Sequence, residues 1–150
     1  MTFRKAIRED LPAIVEMLAD DILGNTREKL KDPLPQSYYT AFDHLRQDKN
    51  QELMVLKDDA DGIVGTLHLT FLTYLTYQGG TRAQIEAVRI RSDQRGKRLG
   101  EKMFQWAINR AKERGAHLLQ LTTDKERPDT IRLYERLGFK ASHVGMKLHF

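Results

Sequence analysis

The hydrophobic period of this chain changes near Glu52, and that change limits the possible folds more than any other feature. Before it, Leu11, Ile14, Val15 and Leu18 recur three and four apart, which predicts an amphipathic helix from Glu9 to Asp20. Pro33 and Pro35 break the chain at Asp32–Gln36, and a second helix is expected from Ser37 to about Gln47, with Tyr38, Ala41, Phe42 and Leu45 on one side. After Glu52 the pattern is that of strands. Leu53–Leu56 and Ile63–Tyr77 flank the turn Asp58-Asp59-Ala60-Asp61-Gly62, and Ala83–Ile90 follows a second turn at Gln78-Gly79-Gly80. With a short first strand at Thr2–Ile7, this predicts an antiparallel meander.

The helical period then returns. Leu99, Met103, Trp106, Ala107, Ile108 and Ala111 form one stripe, Lys112 and Arg114 suit a last turn, and Gly115 is a stop. His117–Thr122 reads as an apolar strand. Pro128–Leu137 reads as a helix with proline in its first turn and Gly138 at its end. Phe139–Phe150 is expected to close the chain with one or two short strands. The order β-α-α-β-β-β-α-β-α-β describes one α/β domain over residues 1–150, large enough for a single sizeable core.

Composition narrows the function classes. Charged residues are 31% and hydrophobic ones 40%, the balance of a soluble globular chain. No run of eighteen apolar residues is present, so no membrane partner is expected. The start, Met1 to Lys5, reaches Glu9, Asp10 and Pro12 without an apolar stretch, which predicts a cytoplasmic protein. The absence of cysteine removes disulfides, thiolate metal sites and cysteine nucleophiles. Lys and Arg number 25 against 21 acids, a modest excess whose meaning depends on where the cations lie.

They crowd the start of the long helix. Helix N-termini carry partial positive charge and unpaired N–H groups, so Arg95, Lys97 and Arg98 stand where acids and caps are expected. A bound anion would resolve the conflict, and Gly96 and Gly100 would let it approach the backbone. A solvated basic turn is the alternative. Neither Gly-x-x-x-x-Gly-Lys-Ser/Thr nor Gly-x-Gly-x-x-Gly occurs, which argues against the common nucleotide loops.

Ile85-Glu86-Ala87-Val88-Arg89-Ile90 followed by Gln94-Arg95-Gly96-Lys97-Arg98-Leu99-Gly100 resembles the acetyl-CoA motif of the GNAT N-acetyltransferase superfamily. The later Arg132-Leu133-Tyr134-Glu135-Arg136-Leu137-Gly138-Phe139 and the order of elements are similar to the same superfamily. Arg98 stands where the pattern most often has its middle glycine, and Arg127 where an asparagine is often found. The resemblance implies a mixed, mostly antiparallel twisted sheet flanked by helices on both faces. It also implies acetyl-CoA as cosubstrate, with the pantetheine arm on the backbone of Val88, Arg89 and Ile90. The phosphates would lie on the loop from Arg95 through Gly96, Lys97, Arg98 and Leu99 to Gly100, with Lys125 and Arg127 as weaker contributors.

Direct transfer to an amine needs a proton acceptor and a donor for the leaving thiolate. Glu86 is the candidate base, placed by strand alternation on the same face as Val88 and Ile90, where partial burial would raise its pKa. A water or His68 is the fallback. Tyr134 occupies the position that the resemblance assigns to assisting thiolate departure. The acceptor is expected to be a small-molecule amine rather than a protein amine, held by Ser37–Leu45, the hairpin from Tyr74 to Thr81 and the segment His143–His149. Gln120 to Thr123 and Tyr134 to Arg136 bear some likeness to bacterial enzymes that acetylate small amines, including aminoalkylphosphonates.

Other features weigh less. His44, His117, His143 and His149 lack metal-ligand spacing, so no metal is expected. The acidic turn lacks the rest of a calcium loop. A nucleic-acid binder would show a basic stripe with interleaved aromatics, whereas the cations here gather in one loop. A non-catalytic acyl-CoA sensor of the same fold is the remaining rival, and homodimerisation is what similar proteins often do.

Overall fold

The computed structural model describes residues 1–124 and 128–150. Its order is β1 (Thr2–Lys5), α1 (Leu11–Ala19), α2 (Gln36–Gln47), β2 (Gln51–Asp58), β3 (Gly62–Thr73), the single turn α3 (Thr76–Gly79), β4 (Thr81–Ile90), α4 (Leu99–Glu113), β5 (Leu118–Leu121) and α5 (Pro128–Arg136). The strands form one sheet in the order β1-β2-β3-β4-β5. Neighbours are antiparallel except β4 and β5, which run parallel. This is the mixed α/β sheet expected, with helices on both faces.

Each face has its own core because strand side chains alternate. On one face Leu11, Ile14 and Val15 of α1 and Phe42 of α2 bury against Val55. On the other, Leu99, Met103, Phe104, Ala107 and Ala111 of α4 pack on Leu67, Leu69, Phe71, Ala83 and Ile85. α4 lies unusually close to the sheet at Gly65, where a Cβ would sit 2.8 Å from the Met103 sulfur and 3.0 Å from Ile90. Only glycine leaves room for that contact.

The C-terminal half of α4 is fixed by charge. Glu52 of β2 is 2% exposed and accepts from Arg110 at 2.7 Å and from Arg114 at 3.1 Å. Arg114 also lies over the Phe71 ring, 4.2 Å from its centroid. Burial pushes the Glu52 carboxyl up, but hydrogen bonds and charge from Arg110 outweigh it and hold the group below the ordinary glutamate range.

Two expectations are corrected. The second long strand ends at Thr73 rather than Tyr77, because Tyr77 and Gln78 adopt left-handed backbone at φ 53° and 59° and turn the chain early. Residues 139–150 form no strand. Val144, Met146, Leu148 and Phe150 alternate as a strand would, yet all are at least 80% exposed. Alternation specifies a strand only where a ladder and an apolar surface receive it.

Glu52→Ala leaves two arginines facing an emptied site and is expected to cost about 3 kcal/mol. That is a fall of roughly 10 °C in Tm for a chain of this size, read by thermal unfolding. The folded-state pKa is depressed, so this stabilisation is complete well above the unfolded value of about 4.3 and is lost as pH falls below it. Glu52→Gln should therefore flatten the acid limb of the stability profile.

Candidate active site

The loop between β4 and α4 is built on the β2–β3 turn. Arg91 donates to the backbone oxygens of Asp61 at 2.6 Å and Ile63 at 3.1 Å, and grips Asp93 at 2.7 Å. The hydrogen bonds from Arg91 hold the Asp93 carboxyl at about 2. Gln94 is buried and donates to the Asp61 carboxylate at 3.2 Å, while its oxygen accepts from Lys97 at 2.7 Å. The acidic turn, which lacks the rest of a calcium loop, thus positions the loop before α4.

Beyond Gln94 the backbone enters left-handed conformations at Gly96, φ 81°, and at Arg98, φ 58°. Arg98 therefore takes the geometry of a glycine with an arginine side chain. It is the N-cap of α4 and makes no side-chain cap. The first helical bond there runs from Lys102 N–H to Arg98 oxygen at 3.2 Å, so the amides of Leu99, Gly100 and Glu101 precede any intrahelical acceptor. They border a cavity of about 290 Å³ lined by Ile90, Gln94, Arg95, Gly96, Arg98 and Gly100, and closed from α5 by Leu133 and Arg136.

The loop cations differ in how they are held. Arg95 pairs with Asp20 at 3.1 Å, Lys97 with Gln94, and Arg98 only distantly with Glu101 at 3.9 Å. The Arg98 side chain is 85% exposed, the freest of the three to meet an incoming anion. Arg89 faces α1 and pairs with Asp21 at 3.2 Å, so this side chain turns away from the loop cavity. Lys125 and Arg127 lie outside the described residues.

Among the described residues β4 and β5 pair from Arg82/Leu118 to Ile85/Leu121. From Glu86 to Ile90, β4 runs on with no β5 partner among the described residues, and this splay leads to the loop and the α4 N-terminus. Inside it, Ala87 has φ 53° and the β3–β4 register shifts between Thr66 and His68. The bulge reverses the alternation. Ile85, Val88 and Ile90 all pack toward the α4 core, whereas Glu86 is exposed and accepts from Gln84 at 2.9 Å. Glu86 is therefore on the face opposite Val88 and Ile90, not beside them, and the partial burial expected for it is absent.

On that opposite face Glu86 is the direct cross-strand partner of His68. Burial lowers the His68 pKa, opposed by the Glu86 charge, and its Nε2 lies 2.6 Å from Gln51 Oε1. His68, Thr66 and Ala87 floor a second cavity of about 160 Å³, walled by Leu18 of α1 and by Tyr38, Ala41 and Leu45 of α2. This bears on the acceptor region expected at Ser37–Leu45. Tyr134 packs edge-on against Phe104 at 5.2 Å and Phe139 at 6.0 Å. Its neighbours Leu133 and Arg136, rather than Tyr134, line the loop cavity.

The structure thus gathers Ile90, Arg95, Gly96, Arg98, Leu99 and Gly100 in one cavity, and puts Glu86 and His68 together on the other side of the bulge. Sequence reasoning missed Asp20, Asp21 and Asp61, which hold the loop in place. Their only signal was an acidic residue at a helix end or turn facing a basic loop.

Replacing Arg98 by Gly removes a left-handed non-glycine residue, which costs about 1 kcal/mol or more. After the entropic cost of glycine, Arg98→Gly should stabilise the chain by about 0.5 kcal/mol in urea unfolding.

Comparison with known proteins agrees with this geometry. The Acetyltransferase (GNAT) family profile matches residues 15–139. A solved structure from Bacillus halodurans C-125, described as a transcriptional regulator, is 56% identical, with TM-score 0.96 and 99% of both chains covered. An L-methionine sulfoximine/L-methionine sulfone acetyltransferase of Pseudomonas aeruginosa is 27% identical over 97% of this chain and 86% of its own length. An aminoalkylphosphonate N-acetyltransferase of Salmonella typhimurium is 28% identical over 91% of this chain and 92% of its own. The chain belongs to the GNAT acetyltransferase family.

Proposed function

We propose that this protein transfers an acetyl group from acetyl-CoA directly to the primary amine of a small molecule. The observation that carries the reading is the continuity of the β4 edge beyond its pairing with β5, Glu86 to Ile90, with the unpaired amides opening α4. An extended amide-bearing arm can add to the first as a strand, and a pyrophosphate can settle on the second. The family uses acetyl-CoA, and the two acetyltransferases named above act on small molecules, which supports the same class of acceptor here.

Acetyl-CoA supplies the thioester whose C–S bond breaks as the C–N bond forms. The chain's own groups serve proton movement and charge. An alkyl ammonium of pKa about 10 is neutral in roughly one part per thousand at pH 7. Glu86 and the neutral His68 stand together on the acceptor side to take that proton, directly or through water. Amides of the β4 edge can polarise the thioester carbonyl. Tyr134 is assigned to donate to the departing thiolate. Its aromatic packing against Phe104 and Phe139 fixes the ring for that task.

A second reading is a regulator that binds acyl-CoA without turnover, favoured by the description of the Bacillus halodurans structure. Thiol release over a panel of amines separates the two. Thermal shifts with acetyl-CoA, CoA, ATP and NAD come first; stabilisation by ATP or NAD but by neither CoA species would sink the coenzyme assignment. Tyr134→Phe should lower kcat by about 10²-fold with little change in acetyl-CoA affinity. Full turnover would remove Tyr134 from the mechanism.

A further inference from the structure

A polar row crosses the acceptor face of the sheet and ends in opposite charges. Glu86, Gln84 and Arg82 project from alternate positions of β4, and their antiparallel partners His68, Thr70 and Leu72 follow without a register break. Hydrogen bonds link them. Gln84 donates to Glu86 at 2.9 Å, Gln120 of β5 donates to Gln84 at 2.8 Å, and Arg82 reaches Gln120 at 3.4 Å.

Arg82 is held but not satisfied. Its guanidinium carbon lies 4.8 Å from the Tyr74 ring centroid and 5.9 Å from that of Tyr77. Tyr77 is in turn stacked on His117 at 4.5 Å, in a turn of left-handed backbone. The only hydrogen bond seen for the Arg82 side chain among the described residues is the long one to Gln120, and its buried Nε has no partner. A fixed cation with unused donors suits an anion, and arginine offers a planar fork to a carboxylate or phosphonate. The row therefore presents an anion site at one end, amides in the middle and a carboxylate at the other.

Resting on the acetyl-transfer reading for the position of the amine, we infer that Arg82 anchors a distal acidic group on the acceptor, an amine bearing an anion several bonds away. The spacing sets the length. Four residues of strand separate Arg82 from Glu86 by roughly 13 Å at about 3.3 Å per residue. With the two side-chain tips standing at that backbone spacing, two charge-assisted contacts of about 2.8 Å leave roughly 7.5 Å for the ligand. An extended zigzag of bonds about 1.5 Å long advances about 1.25 Å per bond, so this is a chain of about six bonds. The ammonium and carboxylate of a simple α-amino acid are too close together to reach both ends.

Calorimetry of the CoA-bound protein with 6-aminohexanoate and hexylamine tests this without requiring turnover; steady-state acetylation of both amines follows. The wild type should bind 6-aminohexanoate at least about tenfold more tightly than hexylamine. Arg82→Met should remove that preference, raising KM for the acid-bearing amine by at least about tenfold more than for hexylamine, and Arg82→Lys should restore part of it. Equal affinities in the wild type, or loss of both amines alike in Arg82→Met, would overturn the anion site. Hexylamine acetylation in that case would leave the transferase reading standing. Preferential binding of 6-aminohexanoate without acetylation would do the reverse, supporting the site and removing the transfer reading.

Discussion

The carboxylate of Glu52, buried on β2 and clasped by Arg110 and Arg114, is the contact on which the setting of α4 and of the loop before it depends. A lone buried carboxylate would be costly, so both arginines must come to it, and they are one turn apart on α4. The helix is thereby locked in rotation at its C-terminal end. Gly65 performs the matching role at the other end, letting Met103 and Ile90 close on the sheet. With both ends fixed, the helix axis aims its unpaired first-turn amides at the stretch of β4 beyond its pairing with β5. The aim of a helix N-terminus is thus set by contacts far from the ligand it would meet.

The bulge at Ala87 divides labour between the two faces. Without it, strict alternation would put Glu86 and Val88 on one side of the sheet. Left-handed backbone at Ala87 instead turns Val88 and Ile90 into the α4 core and leaves Glu86 beside His68. The apolar packing against α4 and the Glu86–His68 pair then occupy opposite faces of a single strand, a few residues apart. A bulge beside a reactive centre is a recurring way to re-aim side chains.

Much of this was legible in the sequence. Each of the strong periodicities, at Leu11–Leu18, at Leu53–Ile90 and at Leu99–Ala111, became the element it predicted, because burial of an apolar face is what fixes both the period and the fold. The loop from Arg95 to Gly100 was legible for a different reason. Its cations contradict local preference at a helix start, and the structure places them there, at the N-terminus of α4 beside a cavity. What the sequence hid was of two kinds. The Ala87 bulge has no glycine to announce it, so parity counting misplaced Glu86. The strand expected after Phe139 failed because Val144 to Phe150 carry the alternation of a strand without an apolar surface to receive it.

The loop cations and their neighbour on β4 are held by ion pairs of different strength. Arg95 and Asp20 are each about half exposed, so their ion pair sits in high dielectric and contributes at most about 1 kcal/mol. That is enough to keep the guanidinium near the cavity and little enough for the pair to open readily. Arg89 and Asp21 are far more buried, at 16% and 11% side-chain exposure, and a charge there loses much more on separation. The two neighbouring acids at the end of α1 therefore act differently. Asp21 pins β4 permanently, while Asp20 holds Arg95 on loan. Exposure, rather than distance, distinguishes them, since the ion pairs are 3.1 and 3.2 Å long.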